Sequence, residues 1–138
     1  MSSPHTARDV MSQPVKTLSR DSNVIDAARF LLDYRLSGVP VVDASGKPVG
    51  VFTFRDMAKY FLDPTLIAGG GVKPADPGRE RVADLMTPHI QSVRPEATLE
   101  ECRKAMRQHK THRVLVQDAQ GKIAGIISAS DLGLRSTD

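Results

Sequence analysis

Two stretches of this 138-residue chain present the same polar groups at the same spacing: Thr53 stands three residues before Asp56, and Ser128 three before Asp131. Each set follows a glycine and two apolar residues, Gly50-Val-Phe and Gly125-Ile-Ile, so each sits where an extended run passes into a helix. Backbone donors and the helix dipole favour an anion at such a junction. An ionised aspartate has only acceptors and can take both hydrogen bonds of a ribose diol, while a hydroxyl can donate to a phosphate oxygen. The chemistry suits a nucleotide. The same spacing also makes a capping box, in which hydroxyl and carboxylate satisfy the first backbone donors of the helix. Duplicated stretches would inherit a cap as readily as a ligand contact, so spacing alone leaves both open. The two ends are not alike, however. His112-Arg113 stands where the earlier stretch has Ser37-Gly38, and a guanidinium grips phosphate bidentately as serine and glycine cannot.

The elements that must position these groups come from an internal repeat. Residues 9–57 align without a gap on 84–132: Asp9 meets Asp84, Met11 meets Met86, Asp43 meets Asp118, Gly46 meets Gly121, Gly50 meets Gly125 and Asp56 meets Asp131. Each copy opens with a short extended piece (15–18; 90–93). A helix follows, announced by Asn23 with Asp26 in one copy and Thr98 with Glu101 in the other, both at capping-box spacing. Val24, Ala27, Ala28, Leu31 and Leu32, and then Leu99, Cys102 and Met106, keep helical spacing, so a stripe of each helix faces a core. Next comes a hairpin, with apolar runs 39–42 and 49–53 in the first copy and 114–116 and Ile123–Ser128 in the second. Gly46 and Gly121 are placed to take a positive φ in the turns. A last helix follows, expected over 55–61 and more briefly over 130–134. Each copy therefore reads β-α-β-β-α, an α/β (mixed α+β) class. Residues 63–83, rich in Gly and Pro, read as a mobile connector.

Gly50-Val-Phe-Thr53-Phe-Arg-Asp56 and Gly125-Ile-Ile-Ser128-Ala-Ser-Asp131 closely resemble the signature of the cystathionine-β-synthase (CBS) domain. Ser37-Gly-Val-Pro-Val-Val-Asp43 and His112-Arg-Val-Leu-Val-Gln-Asp118 resemble that family's second-strand motif, and Asp9-Val-Met11 and Asp84-Leu-Met86 its opening. The resemblance implies two CBS domains, 8–62 and 83–135, joined by a flexible linker, 63–82. It implies small mixed sheets flanked by helices and repeats packed about a pseudo-twofold axis with two related clefts between them, often dimerising further into a flat disc. By the same resemblance, one cleft takes Thr17, Ser22, Ala27, Leu36 and Ser37 from the first repeat and His112, Arg113, Ile126, Ser128, Ser130 and Asp131 from the second, the His-Arg pair facing phosphate. The other combines Thr53, Arg55 and Asp56 with Ala97, Cys102, Thr111 and His112. The Asp131 cleft ranks first on Arg113, where the first repeat has Gly38; in the other, only Arg55 offers an evident permanent positive charge to phosphate.

Composition narrows the rest. Hydrophobic residues are 40% and charged residues 25%, values of an ordinary folding domain. The net charge of +3 comes from nineteen bases against sixteen acids spread along the chain, a weak preference for anions. The apolar stretches are too short for a membrane span, and residues 1–9 have no apolar signal region, so a cytoplasmic location is expected. The lone Cys102 allows no internal disulfide. It reads as a small core residue, and with His109 and His112 it lacks a fourth ligand at zinc spacing, so no metal is expected. Gly69-Gly-Gly71 with Lys73 lacks the Walker arrangement. Arg103, Lys104, Arg107 and Lys110 form a basic helical face, yet with aromatics at 4% there is little for base stacking, so nucleic acid is not the expected partner. Met57, Tyr60, Phe61 and Leu62 form an apolar side of the first repeat's last helix, divided between packing inside its own repeat and burial by another subunit. The expectation is a non-catalytic regulatory module that binds an adenine nucleotide (AMP, ADP or ATP) as its ligand, needs no obligatory cofactor, forms a homodimer and signals to a partner protein. The rivals are an oligomerisation or interaction scaffold with vestigial clefts, and a binder of S-adenosylmethionine or another adenosyl compound.

Overall fold

A computed structural model describes residues 5–62, 78–88 and 90–133. In chain order the elements are α1 (Ala7–Val10), β1 (Leu18–Ser19), α2 (Val24–Asp33), β2 (Gly38–Val42), β3 (Pro48–Thr53), α3 (Phe54–Leu62), α4 (Val82–Leu85), β4 (Ser92–Val93), α5 (Leu99–Gln108), β5 (Arg113–Gln117), β6 (Ile123–Ser128) and a 3-10 turn, Ser130–Leu132. The architecture is mixed α+β, with two three-stranded sheets, β1-β2-β3 and β4-β5-β6, each flanked by helices. In each sheet the first pair is parallel and the second antiparallel.

The long helices begin at their predicted caps. Asn23 Oδ1 accepts from the Asp26 amide at 2.8 Å, and Thr98 Oγ1 accepts from the Glu101 amide at 3.1 Å while the Thr98 amide donates to Glu101 Oε1. They bury Val24, Ala27 and Leu31 on α2 and Cys102 and Met106 on α5, but of the rest of the expected stripes Ala28 and Leu99 are only half-buried and Leu32 faces outward, exposed. Both end alike. Arg35 (φ 55°) and Lys110 (φ 50°) turn left-handed, and the amides of Leu36 and Thr111 reach back to Leu31 O at 2.8 Å and Met106 O at 3.0 Å, which is a Schellman closure. In the hairpins, Asp43 accepts from the amides of Ser45 and Lys47 and Asp118 from those of Gln120 and Lys122. Gly46 and Gly121 stand at φ 87° and 80°, as their turn position requires. The extended openings are shorter than 15–18 and 90–93. The second repeat's final helix shrinks to the 3-10 turn closed by Gly133 at φ 74°, and Leu134 lies outside the described residues. Of the expected connector, 63–77 lie outside the described residues. From Glu80 onward the chain is drawn into order: Glu80 O accepts from Val24 N, and the amides of Val82 and Ala83 donate to Ser22 O and Arg20 O.

Contacts divide the chain into two units, Lys16–His89 and Met1–Val15 with Ile90–Asp138. Each holds the sheet of one repeat and the opening of the other. In the unit of the first repeat, Val82 and Leu85 of α4 join Leu18, Val24, Leu31, Val39, Phe52 and Tyr60 in the core. In the unit of the second, Ala7 of α1 joins Cys102, Met106, Val114, Val116 and Ile127. The residue after each opening methionine closes the free edge of a sheet. Val51 and Thr87 exchange both backbone hydrogen bonds at 2.9 Å, and Ser12 and Ile126 exchange theirs at 2.8 and 3.1 Å. Backbone groups that would otherwise template pairing with another chain are thereby satisfied. The signature glycines serve this approach: a Cβ on Gly50 would sit 2.5 Å from Thr87 O and 2.8 Å from Met86 Sδ, and one on Gly125 would meet Met11 Sδ and, at 2.7 Å, its Cγ.

Candidate functional site

The two hydroxyl-x-x-aspartate sets close the same capping geometry and differ in what remains. At the start of α3, the Thr53 amide and hydroxyl both donate to Asp56 Oδ2 at 3.0 Å, and Thr53 Oγ1 accepts from the Asp56 amide at 3.2 Å. Thr87, from the opening of the second repeat, adds its hydroxyl to Asp56 Oδ1 at 3.1 Å. Both oxygens are engaged, and Asp56 is only 8% exposed. A buried polar group needs such partners, and a ribose diol would have to displace them.

The other aspartate is open. Asp131 is exposed, its Oδ2 accepts from the Ser128 amide at 2.8 Å, and its own amide donates to Ser128 Oγ at 3.3 Å. Among the described residues nothing donates to its Oδ1. Ser12, which aligns with Thr87, lends its backbone to Ile126 and no hydroxyl to Asp131. Ser128 Oγ and Ser130 Oγ share a hydrogen bond of 2.9 Å. Arg113 stands directly across from Ser128 in the β5–β6 register, which puts their side chains on one face of the hairpin. The Thr111 hydroxyl accepts from the Arg113 amide and donates to Arg113 O, fixing how the chain enters the strand. His112 is exposed, and its carbonyl accepts from the Ala129 amide at 2.7 Å. Gly38 occupies the corresponding place in the first repeat, opposite Thr53, and a Cβ there would press on Thr53 Cγ2 at 3.1 Å.

Of the predicted residues, Arg113, Ile126, Ser128, Ser130 and Asp131 therefore lie along β6 and its exit or directly across from it, within one unit. Ile126 is half-buried with its backbone committed to Ser12. The first-repeat residues lie in the other unit: Thr17 and Ser22 flank β1, Ala27 is fully buried in the core, Leu36 is half-buried after α2, and Ser37 carries its carbonyl to the Phe54 amide. Of the second set, Arg55 is exposed on α3 beside Asp56, while Ala97 and Cys102 are buried in the second-repeat core. A hollow of about 480 Å³ at the turn end of the β5–β6 hairpin, lined by Ser92, Arg94, Ala97, Glu101, Gln117 and Asp118 among others, takes in only Ala97 of all these residues. Burial pushes the Cys102 thiol up from its ordinary pKa, with Glu101 adding to the shift, so it stays protonated and unreactive at neutral pH. Among the described residues no three His, Cys, Asp or Glu side chains gather to hold a metal, and no helix is long and apolar enough to cross a membrane. The basic face of α5 is partly neutralised from within, Glu100 bridging Arg107 at 3.1 Å and Arg103 at 3.6 Å.

The sequence did not single out Thr87. The available signal was a hydroxyl residue after each opening methionine, Met11-Ser12 and Met86-Thr87, but nothing local says that only the threonine reaches a carboxylate.

The model of the CBS domain family matches residues 7–63 and 82–132. This chain belongs to the CBS-domain family. It is 32% identical over 117 residues to inosine-5'-monophosphate dehydrogenase of Aquifex aeolicus (strain VF5), a match that covers 84% of this chain and 21% of that protein. The chain thus spans about a fifth of the length of that curated relative. Among solved structures, the CBS-pair protein CBSX2 of Arabidopsis thaliana in complex with AMP superposes with a TM-score of 0.77 at 28% identity, over 94% of this CBS pair and 93% of CBSX2. The cytosolic domain of the Mg2+ channel MgtE in complex with ATP superposes with a TM-score of 0.74 at 26% identity, over 93% of this chain and 47% of that one.

Proposed function

We propose that this CBS pair is a non-catalytic regulatory module, cytoplasmic and homodimeric, that binds an adenine nucleotide at the Asp131 end and passes its occupancy to a partner protein. The observation that carries this is the difference between the two aspartates. Asp56 is saturated by Thr53 and Thr87 and acts as a staple between α3 and the segment after α4. Asp131 keeps one oxygen for a ribose diol, with Ser128, Ser130 and the Arg113 position beside it. The AMP in CBSX2 and the ATP in the MgtE domain support the choice of ligand class. A ligand shifts a conformational equilibrium only by its differential affinity for the two states, and a contact made by two short hydroxyls, a carboxylate and a guanidinium on a hairpin's end is sensitive to small displacements.

Calorimetric titration of the whole chain with AMP, ADP, ATP and S-adenosylmethionine tests the proposal. Adenine nucleotides should bind, and Arg113→Ala should weaken them by roughly ten- to a hundred-fold, the loss of a charge-assisted contact of about 1.5–3 kcal/mol. Asp131→Ala should weaken them with little change in thermal stability. Asp56→Ala should do the reverse, lowering stability by about 1–3 kcal/mol through the loss of the hydrogen bonds its buried carboxylate accepts from Thr53 and Thr87. Binding of S-adenosylmethionine alone would favour the phosphate-free rival, and binding of none of the four would favour a scaffold.

A further inference from the structure

We infer that Arg103 on α5 is a positioning residue for the Asp131 end, its guanidinium fixing the short turn on which Asp131 stands, a role that rests on the proposed nucleotide site and falls to a residue outside the predicted site set. Asp131 lacks two supports that its counterpart has. Asp56 stands at the start of a nine-residue helix, Phe54–Leu62, and Thr87 ties its second oxygen. Asp131 stands on the three-residue turn Ser130–Leu132, which ends at Gly133 with φ 74°, and among the described residues no hydroxyl from Ser12 reaches it. The end of that turn is where Arg103 arrives: its Nη2 donates to Leu132 O at 3.4 Å. Carbonyls at the C-terminal end of a helical turn have no partner within it and carry partial negative charge, so a cation is favoured there. The Leu132 side chain, 7% exposed, packs in the core that holds Cys102 and Met106 of the same helix. One residue after Asp131, the chain is thus held to α5 by both its side chain and its carbonyl.

The first repeat supplies an internal control. Arg103 aligns with Ala28, and Leu132 with Met57. Met57 lies inside α3, where the helix runs on past it, and an alanine suffices opposite; the arginine stands in the repeat whose last helix is cut short. Its neighbours hold it in place. Glu100, one turn earlier, takes Arg103 Nη1 at 3.6 Å on one oxygen and Arg107 Nη2 at 3.1 Å on the other. The Arg103 side chain is 30% exposed against 61% for Arg107, so the first leans onto the protein and the second into solvent. A surface ion pair of this kind contributes little to stability, which leaves the contact with the turn as the effect to measure. Because Asp131 is the proposed grip on the ribose diol, a turn that drifts weakens nucleoside and nucleotide alike.

Calorimetric titration of the full chain with AMP and with adenosine, repeated on Arg103→Gln, Arg103→Lys and Lys104→Gln, tests this together with amide hydrogen exchange of the ligand-free proteins. Arg103→Gln should weaken AMP and adenosine by the same factor, roughly three- to ten-fold, the range of one hydrogen bond. Arg103→Lys, which keeps a cationic donor, should recover most of the loss, and Lys104→Gln, which removes the same charge one residue on, should change neither. In Arg103→Gln the amides of Ser128 and Gly133, bonded to Asp131 Oδ2 and Ser130 O, should exchange faster, while the Leu115 amide, bonded to Gln91 O, keeps its protection. Weakening of AMP alone would make Arg103 a phosphate contact, and loss of protection at Leu115 too would make it a support of the whole repeat; either overturns the inference, as does unchanged affinity for both ligands. If the unmodified chain takes up neither AMP nor adenosine, the ligand proposal fails by itself, and the exchange of Ser128 and Gly133 still decides whether Arg103 holds the turn.

Discussion

Gly50 and Gly125 occupy the same position in the two repeats, yet a side chain would meet different obstacles there. At Gly50 the nearest atom is a backbone carbonyl, Thr87 O, which is held in the bond from the Val51 amide. Relieving the clash means breaking that pairing. At Gly125 the nearest atoms belong to the side chain of Met11, whose torsions can give way. Gly50→Ala should therefore cost about 1–3 kcal/mol, the range of an overpacked core site, and Gly125→Ala measurably less. Denaturant midpoints of the two variants check it, and equal losses would mean that Met11 is as rigid as the ladder. The same scale separates Asp56 from Asp131. One hydroxyl, that of Thr87, makes Asp56 a structural acceptor.

At the scale of the element, the hairpins are held by their first aspartates. The Ser45 hydroxyl, foremost, and the Lys47 amide lower the pKa of Asp43 from the ordinary aspartate value. A carboxyl whose folded value lies below its unfolded one contributes stability that is fully present above the unfolded value, about 3.9, and is lost as pH falls through the folded value. Asp43→Asn removes the titration. The gap in unfolding midpoint between the unmodified chain and this variant should be constant near neutrality, shrink below about pH 4 and close in stronger acid. A gap that persists there would show that the carboxylate charge does not hold the turn. The turn glycines, the caps of α2 and α5 and the period-two runs are local features, which is why spacing alone located them. The ends of β1 and β4 were less legible, since a two-residue strand is bounded by its pairing partner and not by its own residues.

At the scale of the molecule, each opening segment stabilises the sheet of the repeat to which it does not belong by alignment. Removing residues 1–12 takes Ala7 from the second-repeat core, Val10 and Met11 from against it, and the backbone hydrogen bonds of Ala7 to Ala97, Arg8 to Pro95 and Ser12 to Ile126, a loss on the order of 5 kcal/mol. It should fall on one unit. Hydrogen exchange of the truncated chain should show the Ile126 amide, now without Ser12 O, losing protection, while the Val51 amide, still bonded to Thr87 O, keeps it. Equal loss at both would mean that the two units do not open separately.

The sequence by itself determined the repeat, the order of elements within it, the capped helices, the turns and the family, because each is written in spacings a few residues long and then written again. It also ranked the Asp131 end above the Asp56 end, from Arg113 against Gly38. Only the tertiary structure decided that Met86 packs over Gly50 and Met11 over Gly125, and that Thr87 fills the acceptors of Asp56 while Ser12 leaves Asp131 open. Two homologous halves carry the same local signals, so nothing within either half tells an opening segment which sheet to cover. That choice is made by the packing of residues far apart along the chain.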